Sequence, residues 1–207
     1  MNGHGRVFIK RIFDGLFSCI GLVLSSPLWL YVTAKIKRED GGPVFFIQER
    51  VGKEGKLFKM YKFRSMVVGA EKKGIGVFVS RDDQRITKIG RWIRRTSVDE
   101  LPQLLNVLKG EMSMVGPRPT LEYQVKRYNE RQKKRLLVKP GITGWAQING
   151  RNTMTWPEKI ELDVWYVEHW NLRLDWSIGY KTIRSVIKRE GIYSDEGIIV
   201  DEISKIE

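Results

Sequence analysis

Between Leu16 and Ala34 the chain carries no charged residue: LFSCIGLVLSSPLWLYVTA. A straight helix over this run reaches roughly 28 Å, barely the hydrocarbon thickness of a bilayer. Two features argue against a simple crossing. Ser25-Ser26-Pro27 stands in the middle, where proline removes a helix hydrogen bond and kinks the chain. Basic residues flank both sides, Arg6, Lys10 and Arg11 before and Lys35, Lys37 and Arg38 after, whereas a crossing helix concentrates them on one side. The pattern predicts a re-entrant helix-break-helix that enters and leaves the membrane on one face. A simple span is the next reading. A signal peptide cleaved after Val32-Thr33-Ala34 has too long an apolar region, and a buried helix so free of charge is rare in a domain of this size. Asp14, just before the run, reads as a structural ion-pair partner beside Lys10 and Arg11.

The remaining chemistry is narrowed by what the chain lacks. Its single cysteine, Cys19, allows neither an internal disulfide nor a thiolate metal site. The two histidines, His4 and His169, lie far apart, so a zinc site, a Ser-His-Asp triad and a Cys-His pair are all poorly supported. Catalysis falls to carboxylates, Arg, Lys and a hard metal ion, an inventory suited to phosphoryl transfer. A formal charge of +13 over 207 residues calls for a polyanionic partner: nucleic acid, acidic headgroups or phosphorylated substrates.

Ser97 to Pro119, SVDELPQLLNVLKGEMSMVGPRP, concentrates that inventory. Asp99 and Glu100 are adjacent carboxylates. Leu101, Leu104, Leu105 and Leu108 follow at helical spacing and predict one buried face. Pro102 belongs in the first turn and Gly110 is a plausible stop. The carboxylates therefore sit at or just before a helix N-terminus, where the dipole favours negative charge. There they can coordinate Mg²⁺ or attack a phosphorus. Arg118, held between Pro117 and Pro119, is suited to bidentate phosphate binding. Upstream, Arg91, Arg94 and Arg95 form a basic cluster able to hold a diphosphate. An acidic N-cap followed by a proline loop is the bland alternative.

Elsewhere, Val44 to Met66 predicts a β-hairpin around Gly52 to Gly55, with Lys59, Lys62 and Arg64 either facing phosphate or simply solvated. Val67 to Gly90 reads as loop with a helical piece, Leu121 to Val138 as a polar, basic helix, and Lys139 to Arg151 as a tight loop. Neither GxGxxG nor a P-loop occurs. Over Asp175 to Arg189, Trp176, Tyr180, Ile183 and Ile187 share a helical face beside Lys181, Arg184 and Lys188, a pattern suited to a membrane-interface helix or to core packing. Past Gly191 the tail turns acidic.

KRIFDGLF, the Ser-Pro in an apolar run, YKFRSM, RRTSVDELPQLLNVLKGEMSMVGPRP, KPGITGWAQINGR and LDVWYV together resemble the bacterial sugar transferases, and more closely the small monotopic phosphoglycosyl transferases. The match runs over about residues 6 to 190. The resemblance implies transfer of sugar-1-phosphate from a UDP-sugar to a polyprenyl (undecaprenyl) phosphate with release of UMP. It implies that Asp99 is the nucleophile, forming a phosphosugar-aspartyl intermediate and touching Mg²⁺, and that Glu100 assists. It further implies that Arg118 binds a substrate phosphate, with Arg94 a second candidate, and that Ser26-Pro27 makes the membrane segment re-entrant.

The expected fold is mixed α/β: a re-entrant anchor over residues 1–40, then a β-hairpin and helices forming a cytoplasmic catalytic domain with interfacial amphipathic helices over 41–194, then an acidic tail over 195–207. The expected location is the inner leaflet of the bacterial cytoplasmic membrane. Two rivals, a membrane-anchored nucleic-acid binder and a non-catalytic scaffold, leave the carboxylate pair and Arg118 without a purpose. Nucleic acid is thus not an expected partner. A homodimer is left open, because Trp-rich helices serve dimer contacts as well as membranes. No residue distinguishes the sugar.

Overall fold

The computed structural model describes residues 3–70, 83–150 and 154–188. Helix α1, Gly3–Asp40, runs through Ser26-Pro27 without interruption. The expected break is therefore not a gap in helical structure. Pro27 has no N–H for the Val23 carbonyl, and the Ser26 hydroxyl donates to that carbonyl at 2.8 Å instead. Among the described residues no helix is long and apolar enough to cross a membrane.

The hairpin forms as expected. Strands β1, Phe45–Val51, and β2, Leu57–Phe63, pair antiparallel from Phe45↔Phe63 to Val51↔Leu57. Residues 71–82 of the next expected stretch lie outside the described residues. Beyond them Thr87 caps α2, Lys88–Arg95, its hydroxyl accepting from the Gly90 amide. Helix α3, Gln103–Lys109, starts after Pro102 and stops at Gly110, whose φ of +84° suits glycine. The expected four-leucine face is only partly realised: the buried positions are Gln103, Leu104, Asn106 and Val107. Asn106 displaces the leucines because its amide is spent against β2. It accepts from the Tyr61 amide at 3.1 Å and donates to the Lys59 carbonyl at 2.7 Å.

Strand β3, Ser113–Val115, pairs parallel with β4, Gly141–Thr143. The expected basic helix over Leu121 to Val138 is instead α4, Glu122–Val125, α5, Glu130–Lys133, and a 3₁₀ turn, Lys134–Leu137. Asn129 breaks it, its side chain accepting from the Gln132 amide and starting a new helix. Nor is Lys139 to Arg151 a simple loop: it supplies β4 and α6, Trp145–Asn149, while Arg151 lies outside the described residues. Its glycines serve close packing. A Cβ on Gly141 or Gly144 would fall 2.1 or 2.2 Å from the Gly116 backbone. The chain closes with α7, Trp156–His169, and α8, Leu172–Lys188. The expected acidic tail over 195–207 lies outside the described residues.

Helix α1 lies against this body with its polarity reversed. Arg11, Asp14, Ser18, Gly21, Val32 and Ile36, spaced by three to four residues or whole turns, face the protein, while Leu16, Ile20, Val23, Leu24 and Leu30 are exposed. Arg11 donates to the Val107 and Leu108 carbonyls at 2.5 and 2.7 Å, capping the C-terminal end of α3, and Ser18 donates to the Leu104 carbonyl at 2.6 Å. Asp14 does not form the expected ion pair with Lys10 or Arg11. Its inward carboxylate accepts from the Ser113 hydroxyl and the Met114 amide, and Lys10 pairs with Asp175 of α8 at 2.5 Å. At the other end Val32 and Ile36 join Phe63 and Ile93 in a core cluster. There Glu39 accepts from the first amides of α2, and Asp40 pairs with Arg64.

On α8 the core-packing alternative fails for the aromatic stripe. Trp176, Tyr180 and Ile183 are 56, 70 and 63% exposed, and Ile178 is the buried residue. Trp176 sits edge-on to Phe13 and Phe17 of α1, so the two helices present one apolar surface. The side chains of Ile187 and Lys188, and Arg189 altogether, lie outside the described residues.

Candidate active site

Asp99 and Glu100 occupy a 3₁₀ turn, Val98–Glu100, between α2 and α3. The turn is made by Ser97, a non-glycine residue at φ +57°, ψ 15°. That left-handed geometry costs an L-residue about 1 kcal/mol. It reverses the chain directly after α2, so that Arg94, in the helix's last turn, and Asp99 face one cavity of about 380 Å³. Lys62 of β2 and Arg50 of β1 line the same cavity. Arg91 and Arg95 point to solvent, so only Arg94 of the expected cluster reaches the site.

The two carboxylates have different surroundings. Glu100 Oε1 accepts from Lys62 Nζ and from Arg118 Nη2, each at 3.0 Å. Burial alone would raise its pKa, but the two cations together outweigh burial and hold it well below the usual carboxylate range. Asp99 enters no hydrogen bond or ion pair among the described residues. Burial, reinforced by the Glu100 charge and opposed by Lys62, pushes its pKa up to about 6. Two adjacent carboxylates with pKa values driven apart are a recurrent sign of divided chemical roles.

Arg118 is presented by a segment fixed through its carbonyls, since Pro117 and Pro119 have no N–H to give. The Pro117 carbonyl accepts from the Gly141 amide at 2.8 Å and the Thr120 carbonyl from the Val51 amide at 2.9 Å. The Arg118 carbonyl accepts from Arg135 at 2.9 Å, and that of Pro119 from Arg50 at 3.5 Å. The structure thus brings Asp99, Glu100, Arg94 and Arg118 to one place. Ser26 and Pro27 stand apart from them in α1.

Lys62 was legible only as one of two readings of a basic strip, and its pairing register places it. Arg50, Arg135 and Asp163 had no sequence signal as site residues. Among the described residues no three metal-ligating side chains cluster. Mg²⁺ nevertheless fits, because it binds through one or two carboxylates together with substrate phosphates and water, and Asp99 has a free carboxylate on the cavity.

Cations converging on two unequal carboxylates beside an open cavity suit the transfer of a phosphate-bearing group, and the chain is a transferase. It belongs to the bacterial sugar transferase family, whose model matches residues 5–189. It is 46% identical over 198 residues to the uncharacterized sugar transferase EpsL of Bacillus subtilis (strain 168), with 96% of each chain covered. It is 43% identical over 200 residues to the undecaprenyl-phosphate galactose phosphotransferase of Salmonella typhimurium, covering 90% of this chain and 42% of that one. A third relative is the UDP-N-acetylgalactosamine-undecaprenyl-phosphate N-acetylgalactosaminephosphotransferase of Aeromonas hydrophila, 42% identical over 189 residues, covering 87% of this chain and 44% of that one. The chain spans nearly all of the Bacillus relative and less than half the length of the other two.

Proposed function

We propose that the chain transfers sugar-1-phosphate from a UDP-sugar to undecaprenyl phosphate and releases UMP, as the first membrane step of bacterial glycoconjugate assembly. The observation that carries this reading is the division of the dyad: Glu100 is locked between Lys62 and Arg118, while Asp99 is left unpaired on the cavity. In the first half-reaction an Asp99 carboxylate oxygen attacks the sugar-bearing phosphorus. The bond from that phosphorus to the bridging oxygen breaks, and UMP leaves with the electron pair. In the second, a phosphate oxygen of undecaprenyl phosphate attacks the same phosphorus and Asp99 departs as the free carboxylate. A covalent intermediate divides one hard transfer into two easier ones.

Arg118, which reaches the dyad through Glu100, has guanidinium donors beyond the one given to it and binds a donor phosphate with them, while Arg94 lines the cavity that Asp99 faces. Glu100 stays ionised and holds both cations in place. Mg²⁺ held by Asp99 supplies charge neutralisation on the diphosphate. The names of the Salmonella and Aeromonas relatives support the acceptor and the phosphotransfer.

The lipid acceptor explains the outward apolar surface of α1 and α8. A soluble monomer rarely exposes so continuous a patch, and polar residues in membrane segments face the protein, as Asp14 and Ser18 do. Both ends of α1 are tied to the same body, through Lys10 and Asp175 at one end and Asp40 and Arg64 at the other. That supports a re-entrant anchor in the inner leaflet, with the catalytic body on the cytoplasmic side. The deciding experiment adds UDP-sugar without acceptor. UMP released in an amount near one per active site, with a sugar-phosphate adduct by intact-protein mass spectrometry, is expected. Absence of both, in enzyme that turns over once undecaprenyl phosphate and Mg²⁺ are supplied, rules against a covalent Asp99.

A further inference from the structure

Arg135 and Asp163 form the most deeply buried ion pair among the described residues, their side chains 1 and 2% exposed. Removing two charges from water is costly, and such a pair is often no more stabilising than apolar residues of the same volume. This one is not even arranged to satisfy itself, since Arg135 Nε and Asp163 Oδ1 are buried without partners. What the guanidinium does is reach outward. Its Nη1 donates to the Tyr128 hydroxyl at 2.5 Å, and its Nη2 donates both to an Asp163 oxygen and to the Arg118 carbonyl at 2.9 Å. It also lies over the Tyr128 and Trp156 rings, which fix its plane.

Of the four consecutive carbonyls from Pro117 to Thr120, Arg118's is the one on the residue that reaches Glu100. With prolines on both sides, no backbone amide next to Arg118 is available to hold it. Resting on the site reading above, we infer that Arg135, held by Asp163, is a positioning residue for Arg118: α7 sets the direction of the phosphate-binding guanidinium through a buried charge relay. A side chain anchored at its carbonyl points reproducibly, and a 1 Å misplacement can cost about 10²-fold in rate.

The test separates positioning from stability. Arg135→Met with Asp163→Leu replaces the pair by apolar groups of similar size. The expected result is a Tm within about 3 °C of wild type and a kcat/KM for UDP-sugar, read as UMP release with undecaprenyl phosphate present, lowered about 10²-fold. In an Arg118→Ala background the same pair of substitutions is expected to lower kcat/KM by less than about twofold, because residues acting as a unit are not additive. Asp163→Asn, which keeps the shape, is run through the same cycle in case the double variant does not fold. A folded relay variant with wild-type kcat/KM, or losses that multiply with Arg118→Ala, overturns the relay. Wild-type activity in Arg118→Ala alone overturns the site reading itself, and the relay with it.

Discussion

Arg118 meets Glu100 through one nitrogen: Nη2 stands 3.0 Å from Oε1, the oxygen that Lys62 also holds. The contact orients the guanidinium without consuming it. Arg118→Lys keeps the charge but cannot contact Glu100 and a phosphate in one plane. We expect kcat/KM to fall about 10²-fold. Thermal stability should stay within about 1 kcal/mol, since the Arg118 side chain is 47% exposed. Near-normal turnover in the Lys variant would show that charge alone is used there.

Asp99→Asn should abolish the acceptor-independent release of UMP, because an amide is a poor nucleophile. Glu100→Gln should slow both half-reactions yet leave the adduct detectable by mass. Because burial raises the Asp99 carboxyl, the first half-reaction should weaken as pH falls, at a pH that moves down as Mg²⁺, held by the same carboxylate, is raised. A rapid-quench series across pH checks this, and a flat profile would remove Asp99 ionisation from the step.

Asp40 has its pKa lowered to about 2, chiefly by the hydrogen bonds from Arg64. The folded value lies below the ordinary one, so the pair contributes stability that is complete above about pH 4 and lost as pH falls toward 2. Allowing for solvent screening, the loss should be about 1 kcal/mol. Asp40→Asn should show a matching deficit at neutral pH and a flatter acid limb in urea titrations. Wild-type behaviour in both would mean that the pair does not hold the end of α1 to the segment just after β2.

Ser26→Ala strips the only side-chain donor bonded to the Val23 carbonyl among the described residues, a group with no alternative partner in lipid. Pro27→Ala restores the backbone donor and removes the kinking residue. We expect Pro27→Ala to shift α1 toward a spanning topology. Cysteines placed singly at positions 6 and 38, in a Cys19→Ser background, should be labelled from one side of intact membranes in the parent and from opposite sides in Pro27→Ala. Unchanged labelling would transfer the topological role to the basic flanks.

Much of this site was legible because local chemistry marks it. Pro102 and Gly110 bracket α3, and β-prone runs on either side of Gly52 to Gly55 mark the hairpin, so Asp99, Glu100 and Arg118 could be named before their contacts were visible. Asp163 and Arg135 could not, because their pairing is made across 28 positions of chain by tertiary packing. Asn106 was hidden for another reason. Its neighbours are leucines at helical spacing, and only the exposed edge of β2 explains why an amide is the more deeply buried. The helix expected over Leu121 to Val138 failed at Asn129, where capping outweighed the helix-forming side chains on either side.

The guanidinium of Arg11 ends α3, the helix that follows the dyad, while Val32 and Ile36 complete a cluster with Phe63 and Ile93. Helix α1 is thus a working part of the body that carries the dyad. Cutting the chain after Asp40 in search of a water-soluble enzyme would strip Arg11 from the Val107 and Leu108 carbonyls, take Asp14 from the Ser113 hydroxyl and the Met114 amide, and leave a core half open. Solubility has to come from recolouring the outward face at Leu16, Ile20, Val23 and Leu24 with polar side chains, leaving the inward stripe untouched.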